Sequence, residues 1–254
     1  MNQSIDFQSH IPYYYQLIEI IRDQIREGIW TSGEKIPSEL ELCESYGVSR
    51  TVVRQALREL ETDDIIVRRK GKGTYVARPK IHEGLIQKLT GFYQDMVERG
   101  LKPETRVLHQ QIMPATPKIA GYLNVPVGTE IIDIHRLRFI QSEPIQLVTT
   151  YIPLHIAPNL INTDLSNISL YEYLETEYNI KIYRGIRYIE AVLANEEEAK
   201  LLNIEECDPL IMLDSVSFTE TGLAIEYYHA LHRGDRSRFE VELVRLDQEP
   251  VSDK

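Results

Sequence analysis

Residues 38–60, SELELCESYGVSRTVVRQALREL, carry two helix-start signals on either side of one glycine, a pattern with few structural solutions. Ser38 followed three residues later by Glu41 is a capping box. Gly47 suits the left-handed residue that closes a helix, and Ser49 caps the next one. Two short helices joined by a tight glycine turn form a helix-turn-helix. In the second helix Val53, Leu57 and Leu60 recur at the spacing of a core-facing stripe. Arg50, Arg54 and Arg58 share another face, with Thr51 and Gln55 beside the first two.

The flanks extend this unit. From Pro12 to Gly28 the stripe Tyr14, Leu17, Ile18, Ile21 and Ile25 predicts a helix. After the helix-turn-helix, IIVRRKGKGTYVA predicts a hairpin with strands Ile65–Arg69 and Thr74–Ala77 and the tip Lys70-Gly71-Lys72-Gly73. A helix-turn-helix followed by a hairpin is a winged helix, and its glycine-rich basic tip suits close approach to phosphates. The N-terminal residues of the second helix reach base edges in the major groove. Arginine bonds guanine O6 and N7 together, and glutamine does the same for adenine. Arg58, further along, suits a phosphate or an acidic neighbour. The plain alternative is a solvated helix face.

Charge supports a division of labour. The 254 residues have a net charge of −11, yet residues 1–80 hold 12 basic and 12 acidic side chains, and residues 81–254 hold 16 and 27. Within 46–80 there are 9 basic and 4 acidic residues, a local +5. A cationic module on an acidic body implies two domains with different partners. No apolar run approaches the length of a membrane span, and the N-terminus lacks a signal-peptide pattern, so a cytoplasmic protein with no membrane partner is expected. Cys43 and Cys207 lie outside any CxxC or Cys/His cluster, so free thiols are expected and neither metal nor cofactor is called for.

The expected domains are 1–77, a linker over 78–84 and a second domain over 85–248. Thr90–Arg99 reads as a helix closed by Gly100. Strand patterns follow at 105–113, 130–140, 145–152, 182–193, 210–219, 224–232 and 238–245, with hairpin turns at 142–144 and 220–222. Short helices are expected after Pro117, Ser169 and Asn195. The class is α+β with a largely antiparallel sheet. LNVPVGTEIIDIHRLRF (123–139) aligns with LNIEECDPLIMLDSVSF (202–218) at an offset of 79, which suggests a pseudo-symmetric sheet. The offset pairs Arg136 and Arg138 with Ser215 and Ser217. On a strand both arginines emerge on one face, where they demand an anion or a carboxylate such as Glu226 between them. Thr90-Gly91-Phe92, opening a helix, offers free backbone N–H groups to a phosphate.

Residues 12–77, through IREGIWTSGEKIPSELELCESYGVSRTVVRQALRELETDDIIVRRKGKGTYV, resemble the winged-helix domain of the GntR family of bacterial transcription regulators. Residues 81–245, through LTGFYQDMVERGLKPETRVL, IHRLRFIQSEPIQLVTTYIP, SLYEYLETEYNIKI and IEYYHALHRGDRSRFEVEL, resemble the UTRA effector-binding domain of its HutC subfamily, whose fold is similar to chorismate lyase. The first resemblance implies contacts with double-stranded operator DNA from Lys35, Ser38, Ser49, Arg50, Thr51, Arg54 and Gln55, with Gly71, Lys72 and Gly73 in the wing. Relatives usually carry Arg where this chain has Leu40. The second implies that Thr90, Gly91, Phe92, Arg136, Arg138, Ser169, Tyr171 and Glu226 hold a small anionic effector, a sugar phosphate or carboxylate. Sugar-phosphate-binding relatives tend to have Tyr where this chain has His232. The function expected is a ligand-responsive repressor acting as a homodimer. The alternative is an enzyme on a chorismate-lyase-like fold, for which Glu226 with His229 or His232 is the candidate acid–base pair.

Overall fold

The helix-turn-helix forms through the caps its sequence encodes. In the computed structural model, which describes residues 4–69, 71–84, 89 and 91–243, helix α1 spans Tyr13–Arg26, α2 Glu39–Tyr46 and α3 Arg50–Thr62. The Ser38 hydroxyl accepts from the Glu41 N–H while the Glu41 carboxylate accepts from the Ser38 N–H at 2.8 Å, so two otherwise orphaned donors are satisfied reciprocally. Gly47 closes α2 at φ 65°, and the Ser49 hydroxyl accepts from the Val52 N–H to open α3. The hairpin follows as β1 (Ile66–Arg69) and β2 (Gly73–Val76), paired antiparallel. Leu17, Ile21, Ile36, Leu42, Val53, Leu57, Leu60, Ile66 and Val76 form one buried core. Each fully buried side chain of this kind stabilises by about 1.5–3 kcal/mol.

The chain divides into two compact units, Met1–Pro79 and Lys80–Lys254. The segment 78–84, expected as a linker, instead carries a strand of the second unit. This strand, β3 (Ile81–Glu83), is followed by α4 (Gly91–Glu98), β4 (Pro103–Pro114), α5 (Pro117–Leu123), β5 (Glu130–Ile140) and β6 (Glu143–Pro153). Then come a 3-10 turn at Pro158–Asn162, α6 (Leu170–Tyr178), β7 (Arg184–Leu193), α7 (Glu196–Leu202), β8 (Pro209–Phe218), β9 (Ala224–Arg233) and β10 (Ser237–Phe239). Asn124, Asn179 and Asn203 close α5, α6 and α7 in the left-handed conformation that Asn tolerates.

Six strands make one antiparallel sheet in the order β4-β5-β6-β9-β8-β7. The order is mirrored about the β6–β9 junction, and an offset of 79 carries α5 at 117–123 onto α7 at 196–202. The faint sequence repeat is therefore two β-α-β-β halves. α5 and α7 cover one face: the Tyr122 ring stacks on Tyr227 at 4.2 Å, and Ala199 and Leu202 pack with Leu137, Leu147 and Leu231. α6 packs on the other face, its Leu170 and Leu174 against Ile132, Ile134 and Ile152.

Two expectations change in detail. Of the strand predicted at 238–245, residues 244 and 245 lie outside the described residues; within the rest the strand is β10, which pairs parallel with β3, Ser237 opposite Ile81. The turn predicted at 142–144 sits at Gln141-Ser142, both at positive φ as a two-residue hairpin turn requires, with Glu143 and Pro144 already in β6. Among the described residues no helix is long and apolar enough to cross a membrane.

Candidate functional site

The α3 surface separates as its spacing dictates. Val53, Ala56, Leu57 and Leu60 are buried, whereas Arg50, Thr51, Arg54, Gln55 and Arg58 are exposed. Among the described residues none of the three arginines has an ion pair, so no acidic neighbour engages Arg58. In the wing Lys35 bridges to Tyr75, and its side chain lies against Gly73: a Cβ there would come within 2.6 Å of the Lys35 Cε. Gly73, at φ 118°, therefore brings Lys35 and the hairpin tip to one spot. Lys70 lies outside the described residues, Gly71 and Lys72 are exposed, and Leu40 is 51 % exposed.

The second site is a pocket on the sheet face opposite α5 and α7. β5 supplies Arg136 and Arg138, β6 Gln146 and Thr150, β9 Glu226 and Tyr228, and β7 Arg187. The first residues of α4 (Gly91, Phe92) and the start of α6 (Ser169, Tyr171) close it. Ser169 caps α6, its hydroxyl accepting from the Glu172 N–H. Helix openings of this kind leave N–H groups facing a ligand space. Gly91 sits at φ 73° with the Tyr171 ring 3.4 Å from where a Cβ would stand. The pocket thus brings together every effector residue expected from the sequence except Thr90, which lies outside the described residues.

The arginines do not pair with the carboxylate. Arg136 donates from Nη2 to the Thr150 hydroxyl at 2.8 Å, and its Nε is buried without a partner. Arg138 donates to Gln146 Oε1 at 3.0 Å and lies over the Phe92 ring at 4.9 Å. Glu226 accepts instead from Tyr171 at 2.7 Å and Ser217 at 3.0 Å. Burial pushes Arg136 down to about 10, against the opposing field of Glu226. Burial, joined by the charge of Arg136, pushes Arg138 down to about 9. Burial together with the Glu226 charge raises the Tyr171 phenol, which keeps it a donor to that carboxylate. A bound anion would remove the cost at which these cations are held.

The acid–base pair considered for catalysis does not form. His229 faces away from the pocket and bonds Asp214 at 2.8 Å. His232 engages Gln146 and Glu83 rather than Glu226. Arg187, Gln146 and Thr150 were not singled out in the sequence. The one trace of Arg187 there is a cation flanked on its strand by apolar Ile186 and Tyr188.

Comparison with known proteins agrees with both halves. Residues 13–76 match the pattern of "Bacterial regulatory proteins, gntR family" and residues 98–238 match the UTRA domain. The HTH-type transcriptional repressor NagR of Bacillus subtilis is 34% identical over 93% of this chain and 96% of its own length. The mannosyl-D-glycerate transport/metabolism system repressor MngR of Escherichia coli is 30% identical over 91% and 95%. The crystal structure of PhnF from Mycobacterium smegmatis superposes with a TM-score of 0.64 at 30% identity, covering 91% of this chain and 98% of that one. The chain belongs to the GntR family, HutC subfamily: a DNA-binding transcriptional regulator with an N-terminal winged helix and a C-terminal UTRA domain, and not an enzyme.

Proposed function

We propose that this regulator is a cytoplasmic repressor that binds operator DNA as a homodimer and responds to a small anionic effector of the sugar-phosphate or carboxylate class. The observation that carries the effector class is the arginine pair, Arg136 buried with an unpaired Nε and Arg138 half-buried beside it, in a pocket whose carboxylate is already occupied by Tyr171 and Ser217. The relatives point the same way, since MngR serves a mannosyl-D-glycerate system.

Operator contacts fall to Arg50, Thr51, Arg54 and Gln55 on α3, with Lys35, Ser38, Ser49, Gly71, Lys72 and Gly73 around them. Arg58 reaches a phosphate. A two-fold dimer presents two α3 helices to a pseudo-palindromic site. The effector acts by binding more tightly to the arrangement that does not fit DNA. A coupling of about 1–3 kcal/mol changes operator affinity roughly 5–150-fold.

The test pairs two variants with a thermal-shift panel of sugar phosphates, phosphonates and small carboxylates. Arg54→Ala is expected to lose the operator gel shift and keep the ligand-induced rise in melting temperature. Arg136→Ala is expected to keep the gel shift and lose the ligand response. Operator binding by Arg54→Ala equal to wild type would overturn the recognition-helix assignment. A panel in which no anion raises the melting temperature would overturn the effector class.

A further inference from the structure

Arg187 stands apart from the arginine pair in the same pocket. Its Nε donates to the buried Ser215 hydroxyl at 3.3 Å, and its Nη1 is enclosed with no partner. The guanidinium lies 5.8 Å from the centre of the Tyr228 ring, a contact that favours a cation without supplying an acceptor. Glu226, the pocket's one carboxylate, makes no ion pair with Arg187 among the described residues; its bonds go to Tyr171 and Ser217.

Sheet order fixes where Arg187 sits. From β5, which bears Arg136 and Arg138, to β7, which bears Arg187, the sheet crosses β6, β9 and β8. Four interstrand steps put the backbones roughly 19 Å apart. The side chains close much of that span: Arg136 bonds Thr150 on β6 and Arg187 bonds Ser215 on β8, the two hydroxyl-bearing residues flanking Tyr228 of β9 about 10 Å apart, so a ligand that meets both guanidiniums spans β9.

The two ends also differ in donors. At the β5 end, two guanidiniums, the Ser169 cap and the opening of α4 suit a phosphate with its three oxygens. At the β7 end stands a single guanidinium fork, fixed by Ser215, which suits a planar two-oxygen group.

We propose that Arg187 forms a second anion locus in this pocket, so that the effector carries a carboxylate at the end remote from its phosphate-class group. This inference rests on the anionic-effector reading above and adds the chemistry of the ligand's far end.

The experiment measures binding of two probes to the full-length protein by calorimetry at constant ionic strength. Glucose 6-phosphate carries one anionic end, and 6-phosphogluconate carries a phosphate and a carboxylate. The wild type is expected to bind 6-phosphogluconate about tenfold more tightly or better, the return of one charge-assisted hydrogen-bonded pair. Arg187→Gln is expected to erase that advantage while leaving glucose 6-phosphate affinity within about twofold, which also shows that the variant is folded. Arg187→Lys, which keeps the charge and loses the fork, is expected to fall between. Arg136→Gln is expected to weaken both probes. Equal binding of the two probes, or an equal loss of both in Arg187→Gln, overturns the second locus and leaves the phosphate end standing. Failure of both probes to bind the wild type at millimolar concentration overturns the inference together with the anionic reading of the pocket.

Discussion

Glu83 and His232, 149 positions apart in the chain, meet in the interior with both carboxylate oxygens within 3.1 Å of the imidazole Nδ1. The polarity of this contact follows from its neighbours. Arg138 donates to Gln146 Oε1, so the Gln146 amide nitrogen is left as the donor toward His232 Nε2 at 2.8 Å. An Nε2 that accepts places the ring proton on Nδ1, which donates to Glu83. A directed chain therefore runs from the pocket to β3, the first strand of the second unit.

Removing the acceptor at the end of that chain leaves a buried donor unpaired. Glu83→Leu is expected to destabilise by about 1–3 kcal/mol. Glu83→Gln, whose amide oxygen still accepts, is expected to cost clearly less. Chemical denaturation of the two variants side by side checks the order; equal losses would mean the hydrogen bond contributes nothing beyond packing.

Ser49 serves two roles that substitution can separate. Ser49→Ala removes the cap of α3 and is expected to cost about 0.5–2 kcal/mol. Ser49→Asp keeps a capping oxygen and is expected to restore the melting temperature. Its new negative charge, beside the face assigned to DNA, should still weaken the operator gel shift.

The charge on Arg138 has a cost for folding. Its folded value is pushed down to about 9 from an ordinary 12.5, so the folded state disfavours the protonated form. That penalty is fully present below about pH 9 and is relieved as pH rises toward the ordinary value. Arg138→Met is therefore expected to melt about 2–4 °C higher than wild type for each kcal/mol recovered, while losing the anion response. Titrating a bound phosphate ester from pH 8 upward is expected to show affinity falling through about pH 9, as Arg138 gives up its proton. A flat profile would show that Arg138 keeps its proton through this range.

Gly91 ties backbone shape to the pocket. Alanine at φ 73° is expected to cost about 1–2 kcal/mol from the left-handed conformation alone. Its methyl would also crowd the Tyr171 ring that holds Glu226. Gly91→Ala should weaken anion binding in thermal-shift titrations while its ligand-free operator affinity stays at the wild-type level.

Local chemistry was legible in the sequence wherever a short pattern determines it. The caps at Ser38, Ser49 and Asn195, the glycine turn at Gly47 and the α3 stripe depend on residues three or four apart, and each appears in the structure. The 79-residue offset made the sheet's two halves visible, and strand alternation placed Arg136 and Arg138 on one face. Arg187, the Gln146–His232–Glu83 chain and the parallel β3–β10 pair were not legible. Each depends on strands that meet across a hundred residues or more, or on register between strands, and no local pattern encodes either. The short, parallel pairing at β3 also lacks the alternation of a longer strand, which is why 78–84 read as a linker.

The mirrored strand order has a consequence for how a small molecule is read. The pocket face spans the junction of two near-equivalent halves, so the sheet by itself gives a bound molecule no head or tail. Direction comes from what each half adds to it: arginines at 136 and 138 where the other half has Ser215 and Ser217, and the openings of α4 and α6. Exchanging the side-chain pairs alone would set the arginines against the helix openings and leave a guest two conflicting orientations.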